Sequence, residues 1–249
     1  MAFCELHYFS KALGLQTAAS VILPESDEQH KPPYPVFYLL HGLSDDHTIW
    51  MRRTSIERYV QNLPLIVVMP SGGRGFYVNA EQGFAYETAI ATDLVDTIDR
   101  FFPTKAERGG RCIGGLSMGG YGAVRLALGN PNLFVSANSH SGALAFGHKP
   151  SSGDPRGVEF QRILGANPVG GKNDLFTLAE KIDPTAMPAL RIDCGTEDFL
   201  IEDNRNFHSH LVTLNRKHEY EEFPGAHEWG YWDRHVQEAI AFHRRHLGI

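Results

Sequence analysis

Cysteine is scarce in this chain of 249 residues, and its three cysteines show no C-x-x-C spacing. An odd number of cysteines without paired spacing indicates neither a disulfide framework nor a zinc site. Cys112 and Cys194 lie in apolar, strand-like runs, where cysteine usually behaves as a small buried hydrophobic residue. This cysteine usage favours a cytoplasmic protein.

Clusters of Lys and Arg are lacking, and so is any apolar run near the roughly 20 residues that span a bilayer. The net charge of −6 offers no basic face to a phosphate backbone, so we expect no nucleic-acid partner. The first twenty residues lack a positively charged leader before an apolar run. We therefore expect a soluble, unexported protein without membrane partners.

Internal repeats and low-complexity tracts are absent, and a composition of 42% hydrophobic and 21% charged residues predicts one globular domain over residues 1–249. Short β-rich runs alternate with segments of helical periodicity, which is typical of an α/β fold. Several runs are apolar throughout, as in parallel strands with helices on both faces. The predicted strands are 18–23, 36–40, 65–69, 111–116, 135–139, 190–194 and 219–223, and the predicted helices are 86–101, 121–128, 204–214 and 232–246.

Two features mark boundaries in this alternation of strands and helices. Pro103 predicts that the helix before it ends near Phe102, because proline disfavours a helical residue before it. Residues 141–181 are less regular and begin with a segment rich in Gly, Pro and Ser. This irregular excursion is either a flexible cover over a site or an ordinary surface loop.

A candidate nucleophile lies in Gly115-Leu116-Ser117-Met118-Gly119, which has the G-x-S-x-G pattern between a strand-like and a helix-like run. A serine on such a tight turn has a strained backbone, and small neighbours relieve the resulting clashes. By itself the pattern is equally typical of a glycine-rich turn with an incidental serine. A dinucleotide or phosphate site is a poor alternative, since neither G-x-G-x-x-G nor G-x-x-x-x-G-K-[ST] is present.

A serine nucleophile needs a histidine base, which in turn needs a carboxylate to orient it. In hydrolases of this fold the chain order is serine, acid, histidine. His227 follows the last predicted strand, and Asp198 follows the strand before it, so these two residues are the predicted base and acid. The local competitors for the acid are Glu197, Asp193, which we expect within the strand, and Asp203, which we expect to be the N-cap of the next helix.

The oxyanion of the reaction needs two backbone N–H donors. Met118, directly after Ser117, is one candidate, and Leu43, in the His41-Gly42-Leu43 turn after an early strand, is the other. We expect His41 mainly to shape this turn. The remaining histidines form no tight ligand set with Cys or carboxylates, so we expect neither a metal nor another cofactor.

Candidate substrate-pocket residues are His41, Phe76, Tyr77 and Trp229, on loops near the predicted nucleophile and base. Core packing is the alternative for each aromatic residue, and it is favoured for Tyr231 and Trp232 because of the adjoining helix.

With these residues in place, the chain resembles the esterase D-like hydrolases, most closely the tributyrin esterase branch. The resemblance runs from about Phe9 to the C-terminal helix. It rests on Y-L-L-H-G-L-S-D-D, P-S-G-G-R-G-F-Y, G-L-S-M-G-G-Y-G, C-G-T-E-D and H-E-W-G-Y-W. By this resemblance Ser117, Asp198 and His227 match the catalytic triad, and Leu43 and Met118 match the oxyanion-hole amides.

The resemblance implies an α/β-hydrolase with a mostly parallel sheet and a small or absent lid, acting as a serine esterase on small short-chain carboxylic esters. The family also holds S-formylglutathione hydrolases, feruloyl and acetyl esterases and secreted mycolyltransferases, so the fold alone does not select the substrate. The chain is shorter than expected of the formylglutathione enzymes. Thioester hydrolysis or acyl transfer with the same triad remains open, as do a non-catalytic binding module and a homo-oligomer.

Overall fold

The computed structural model describes residues 1–26, 28, 30–149 and 156–249. The eight strands formed by these residues join one sheet in the order β1-β2-β4-β3-β5-β6-β7-β8. Strands β1 and β2 are antiparallel to each other, β2 is antiparallel to β4, and every pairing from β4 to β8 is parallel. The strands are β1 Ala2–Ser10, β2 Leu15–Leu23, β3 Val36–Leu40, β4 Ile66–Pro70, β5 Arg111–Leu116, β6 Ser136–His140, β7 Ala189–Gly195 and β8 Glu219–Phe223.

Helices connect the parallel strands, and one further helix follows the last strand. They are α1 Ile49–Arg53, α2 Ile56–Val60, α3 Tyr86–Thr88, α4 Val95–Phe101, α5 Met118–Gly129, α6 Gly157–Leu164, α7 Leu175–Lys181, α8 Ile201–Thr213 and α9 Trp229–Leu247. A π-helical turn, Ala89–Leu94, joins α3 to α4, so the predicted helix 86–101 exists but is not α-helical throughout. Phe102 is extended, as the residue before Pro103 should be.

The core has two halves, one on each face of the sheet. Tyr38 and Leu40 of β3 contribute to the half that contains α4, α5, α7 and α8, whereas Phe37 and Leu39 contribute to the half with α1, α2 and α9. This division follows from the alternation of side chains along a strand. The predicted α/β-hydrolase architecture, a mostly parallel sheet covered on both faces, is confirmed.

The sequence prediction misses β1 and four helices. Most β1 side chains are exposed or partly exposed, so the strand lacks the apolar run that marks the central strands. Helices α1 and α2 have five residues each, too few to show a helical period. The excursion at 141–181 contains α6 and α7, and its residues 150–155 lie outside the described residues. Among the described helices, none has the length and apolar character required to cross a membrane.

Candidate active site

Ser117 occupies the turn between β5 and α5 with φ of 53° and ψ of −115°. Such a backbone is strained for a residue with a side chain. The turn also needs glycine on both sides. A Cβ atom on Gly119 would lie 2.6 Å from the carbonyl oxygens of Leu40 and His41, and one on Gly115 would lie 2.7 Å from the Leu40 oxygen. The G-x-S-x-G pattern is therefore required by the close approach of β3 to this turn.

Three side chains from separate loops form a hydrogen-bonded chain. The Nε2 atom of His227 lies 3.0 Å from Oγ of Ser117, and its Nδ1 atom lies 2.8 and 3.0 Å from the two carboxylate oxygens of Asp198. With Nδ1–H donating to Asp198, Nε2 is left to accept the hydroxyl proton of Ser117. This is the arrangement in which histidine can remove a proton from serine.

The Asp198 side chain is buried but well supplied with donors. Besides His227, the backbone N–H of Leu200 donates to Oδ1 at 2.8 Å. Burial alone would raise the pKa of Asp198, but hydrogen bonds from His227 and Leu200 outweigh it and hold the pKa below the usual value. Asp198 is thereby kept ionised opposite the histidine.

The competing carboxylates are engaged elsewhere. Asp193 lies in β7, where it accepts hydrogen bonds from His140 and Tyr231. The prediction that Asp203 is a helix N-cap is wrong, because α8 begins earlier, at Ile201. The physical reason is the turn at Asp198, whose carboxylate and carbonyl accept the N–H groups of Leu200 and Ile201 and so start the helix. Asp203 instead pairs with Lys149 at the cavity wall.

The two predicted oxyanion donors border the same cavity as Ser117. Met118 is the first residue of α5, so its N–H has no acceptor within the helix and lies at the positive end of the helix dipole. Leu43 follows Gly42, where an added Cβ atom would lie 3.7 Å from Cβ of Ser117. The turn that carries Leu43 thus passes directly beside the serine.

His41 and Tyr77 are not part of the cavity lining, which corrects their prediction as pocket residues. Both side chains are buried, and their hydrogen bonds brace the neighbouring loops. Nδ1 of His41 donates to the Gly42 carbonyl at 2.7 Å, and Nε2 accepts the Gly72 N–H at 2.8 Å. The Tyr77 hydroxyl donates to the His41 carbonyl at 3.0 Å.

The cavity over Ser117 has a volume of about 1000 Å³. Phe76 and Trp229, both predicted, contribute to its lining. Phe146 stacks on Phe76 with ring centroids 3.6 Å apart, and Phe160 meets Phe146 edge to face at 5.0 Å. Phe146 and Phe160 are not among the predicted pocket residues, although Phe160, Ile163 and Leu164 show a helical period that could have revealed α6.

Other missed lining residues are charged or exposed. They are Asp45, Arg53, Lys149, Arg156, Phe199 and Glu228. Phe199 is 74% exposed and its ring lies 4.5 Å from that of His227, so an apolar side chain flanks the histidine at the cavity mouth. Within the described part of the chain, no group of three or more His, Cys, Asp or Glu side chains is arranged to hold a metal ion.

Comparisons with known proteins show that the chain is similar to esterases and serine hydrolases along nearly its whole length. The chain is 29% identical to an acetyl esterase of Caldicellulosiruptor saccharolyticus, over 96% of this chain and 97% of the relative. Among solved structures, the fluorophosphonate-binding serine hydrolase F of Staphylococcus aureus has a TM-score of 0.86 and 32% identity, with 97% of this chain and 98% of that chain covered.

An S-formylglutathione hydrolase of Staphylococcus aureus has a TM-score of 0.82 and 31% identity, with 97% and 98% of the two chains covered. Length therefore does not separate this chain from that enzyme, contrary to the sequence argument. Residues 10–243 match the family described as "Putative esterase". The chain belongs to that family, and it is a carboxylic ester hydrolase with the α/β-hydrolase fold.

Proposed function

We propose that this protein is a serine carboxylesterase that hydrolyses short-chain carboxylic esters through an acyl-enzyme on Ser117. The observation that carries the proposal is the hydrogen-bonded chain from Ser117 and His227, which line the cavity, to the buried Asp198. Each member follows a different strand of the parallel sheet, and the carboxyl ends of these strands meet at one edge.

The reaction has two steps. In the first, Nε2 of His227 takes the proton of Ser117 as Oγ attacks the ester carbonyl, and the Leu43 and Met118 amides stabilise the oxyanion. The imidazolium, stabilised by Asp198, then gives its proton to the departing alcohol. In the second step, water loses a proton to His227, attacks the acyl-enzyme and releases the carboxylic acid.

The proposed preference for short acyl chains rests on three packed phenylalanine rings in the cavity wall rather than on the total volume of the cavity. A cavity of about 1000 Å³ exceeds what an acetyl group needs, but part of it receives the leaving group. The Phe76, Phe146 and Phe160 rings form a packed wall that limits how far a chain extends towards α6. The similarity to an acetyl esterase supports the same preference.

A second candidate is the hydrolysis of a thioester such as S-formylglutathione by the same residues. It is favoured by the similarity to an S-formylglutathione hydrolase of nearly equal length. Kinetics with S-formylglutathione and with matched oxygen esters distinguish the two. We also propose a cytoplasmic location, because all three cysteines are free.

The direct test is Ser117→Ala, assayed with p-nitrophenyl acetate and butyrate. We expect activity to fall by about a million-fold or to the background rate, because the nucleophile is gone. Ser209→Ala, on α8 away from the cavity, is the control and should keep full activity. Near-normal hydrolysis by Ser117→Ala would overturn the proposal, and failure of wild-type Ser117 to react with a fluorophosphonate would favour a binding module.

A further inference from the structure

Strand β1 forms one edge of the sheet, and within the described residues no further strand lies beside its outer edge. The nine residues of β1 include no Pro, Gly or Lys, which proteins often use to interrupt or charge an exposed edge. The strand is also longer than the average of about five or six residues. Its outer edge therefore presents a long row of backbone N–H and C=O groups with which another strand can pair.

Strand β8, at the opposite edge of the sheet, is protected by charge. Three of its five residues are glutamates, namely Glu219, Glu221 and Glu222. A second β8 strand would bring more carboxylates against them, and like charges on paired strands are destabilising. The two edges therefore differ, and β1 is the one that can pair with a copy of itself.

One face of β1 carries exposed apolar side chains. Phe3 is 48% exposed and Phe9 is 55% exposed, and the exposed residues Glu5 and His7 lie between them on the same face. Leu6, on the other face, packs against the core. A single exposed phenylalanine is ordinary, but two on one open edge strand offer apolar area that a neighbouring strand would cover.

The sequence of β1 is symmetric about Leu6. Phe3 and Phe9 lie at equal distances before and after it, and so do Glu5 and His7. If a second copy pairs antiparallel about a two-fold axis through Leu6, each Phe3 lies opposite a Phe9 and each Glu5 lies opposite a His7. Aromatic pairs and pairs of a carboxylate with a basic group stabilise adjacent strands, and the two-fold axis makes each pair occur twice.

The Glu5 and His7 side chains can reach each other. Within one chain, Nε2 of His7 lies 3.3 Å from Oε1 of Glu5, and Nε2 of His47 lies 3.5 Å from the same oxygen. More than half of each of the Glu5 and His7 side chains is exposed, so both remain accessible to a second copy. The imidazole of one copy can therefore donate to the carboxylate of the other.

Other registers are disfavoured. A shift by two residues places Glu5 opposite Glu5 in one direction and Glu5 opposite Phe9 in the other, so the carboxylate meets either a like charge or an apolar ring. A shift by one residue places the exposed face of one copy beside the core-covered face of the other, because opposed residues point to the same side of a sheet. The register centred on Leu6 avoids both conflicts.

We propose that the outer edge of β1 is a dimer interface, at which β1 of a second copy pairs antiparallel with Leu6 opposite Leu6. The two eight-stranded sheets then form one continuous sheet, whose remaining edges are the glutamate-bearing β8 strands. Such a two-fold dimer closes on itself. The interface is independent of the hydrolase reaction, because no residue of β1 lines the cavity over Ser117.

The first test is the mass of the full chain in solution, measured by light scattering and sedimentation over a range of micromolar concentrations. We expect twice the 27.8 kDa of one chain. Any affinity tag belongs at the C-terminus, because β1 begins at Ala2. A wild-type protein that stays monomeric at hundreds of micromolar overturns the proposal.

Charge substitutions test the register. His7→Glu places a carboxylate opposite Glu5 in both pairs, so we expect the dissociation constant of the dimer to rise by about tenfold or more. Glu5→Lys places a cation opposite His7 and should also weaken the dimer. An equimolar mixture of the two variants should form a heterodimer, because the introduced lysine then lies opposite the introduced glutamate and Glu5 lies opposite His7.

A second pair of substitutions tests the apolar contacts. Phe9→Ser removes both pairs of phenylalanines and should raise the dissociation constant by about tenfold or more. Phe101→Ser, at the exposed end of α4, is its matched control. Gln237→Glu, which adds one carboxylate to an exposed position of α9, is the control for His7→Glu. Both controls should dimerise like the wild type.

Thermal unfolding and hydrolysis of p-nitrophenyl acetate show whether each variant folds, and both should match the wild type when the chains are compared as monomers. An unchanged dimer in His7→Glu and Phe9→Ser overturns the interface. Weakened single variants that do not recover in the mixture overturn the register centred on Leu6. If His7→Glu does not fold, Phe9→Ser decides.

The dimer and the proposed function can fail separately. Ser117→Ala leaves β1 unchanged and should dimerise like the wild type while it loses hydrolysis. A monomeric wild type with full esterase activity overturns the interface alone, and an active Ser117→Ala dimer overturns the proposed function alone.

Discussion

Nε2 of His41 accepts a hydrogen bond from the backbone N–H of Gly72, 2.8 Å away, across the gap between the loops that follow β3 and β4. Its Nδ1–H donates to the Gly42 carbonyl, so the ring is bonded at both nitrogens in its neutral form. Burial lowers the pKa of His41 to about 4. A charged imidazole would lose the hydrogen bond from the Gly72 N–H, because its protonated Nε2 can no longer accept.

This lowered pKa predicts a pH-dependent stability. The unfolded chain binds a proton at His41 near pH 6.5, and the folded chain binds it only near pH 4, so stability is present above pH 6.5 and is lost as the pH falls towards 4. The loss is at most about 3 kcal/mol for this one group. Urea unfolding of the wild type and His41→Gln at pH 7 and 4.5 measures it, and equal pH dependence in both would contradict the prediction.

Gly119→Ala should disrupt the Ser117 turn, because its Cβ would lie 2.6 Å from two carbonyl oxygens. We expect a destabilisation of about 1–3 kcal/mol and at least a tenfold loss of kcat/KM, since β3 or α5 must shift. Gly129→Ala is the control at the other end of α5. There the nearest atom is 3.5 Å away, and alanine should stabilise the helix slightly. Comparable thermal stability and activity in the two variants would refute the argument.

Asp198→Asn tests the role of the acid. The amide of asparagine can donate to Nδ1 of His227 and so favour the tautomer that cannot accept the proton of Ser117. We expect kcat to fall by about 10⁴, with KM changed little. Glu202→Gln, whose exposed ion pair with Arg205 contributes little, should behave as the wild type in steady-state kinetics. A fall in kcat of less than about tenfold for Asp198→Asn would argue against the assignment.

Phe146→Ala should shift the preferred length of the substrate's acyl chain, because it removes the ring that stacks on Phe76 in the cavity wall. We expect kcat/KM for p-nitrophenyl hexanoate or octanoate to rise relative to acetate by about tenfold, as for one or two buried methylene groups. Phe101→Ala, at the exposed end of α4 and away from the cavity, serves as the control. If the ratio of kcat/KM between the long esters and acetate is unchanged in Phe146→Ala, this wall does not limit the length of the acyl chain.

Much of the central sheet could be predicted from the sequence. The predicted strands at 36–40, 111–116 and 219–223 have the observed bounds of β3, β5 and β8. The first two are buried along their whole length, and β3 is marked by a continuous apolar run, whereas β5 directly precedes the motif around Ser117. Strand β1 escaped prediction because its side chains alternate between partly covered and exposed positions, and only packing on β2 makes it a strand.

The catalytic residues could be predicted from the sequence, because the chemistry requires each residue type at a defined position in the fold. The motif around Ser117, the order of Asp198 and His227, and the turn at Leu43 all follow from strand ends and short patterns. The pocket was not predictable in this way, because aromatic residues mark a core and a cavity equally well. Tyr77 is buried and Phe76 lines the cavity, although they are adjacent in the chain.

From the amino-acid sequence alone one can predict the α/β order, the glycines that the nucleophile turn requires and the residue types of the hydrogen-bonded chain. The folded molecule was needed to see that His41 braces two loops and that Phe146 and Phe160 form the cavity wall. A turn and a strand end depend on neighbours in the chain, whereas contacts between distant segments depend on how those segments pack.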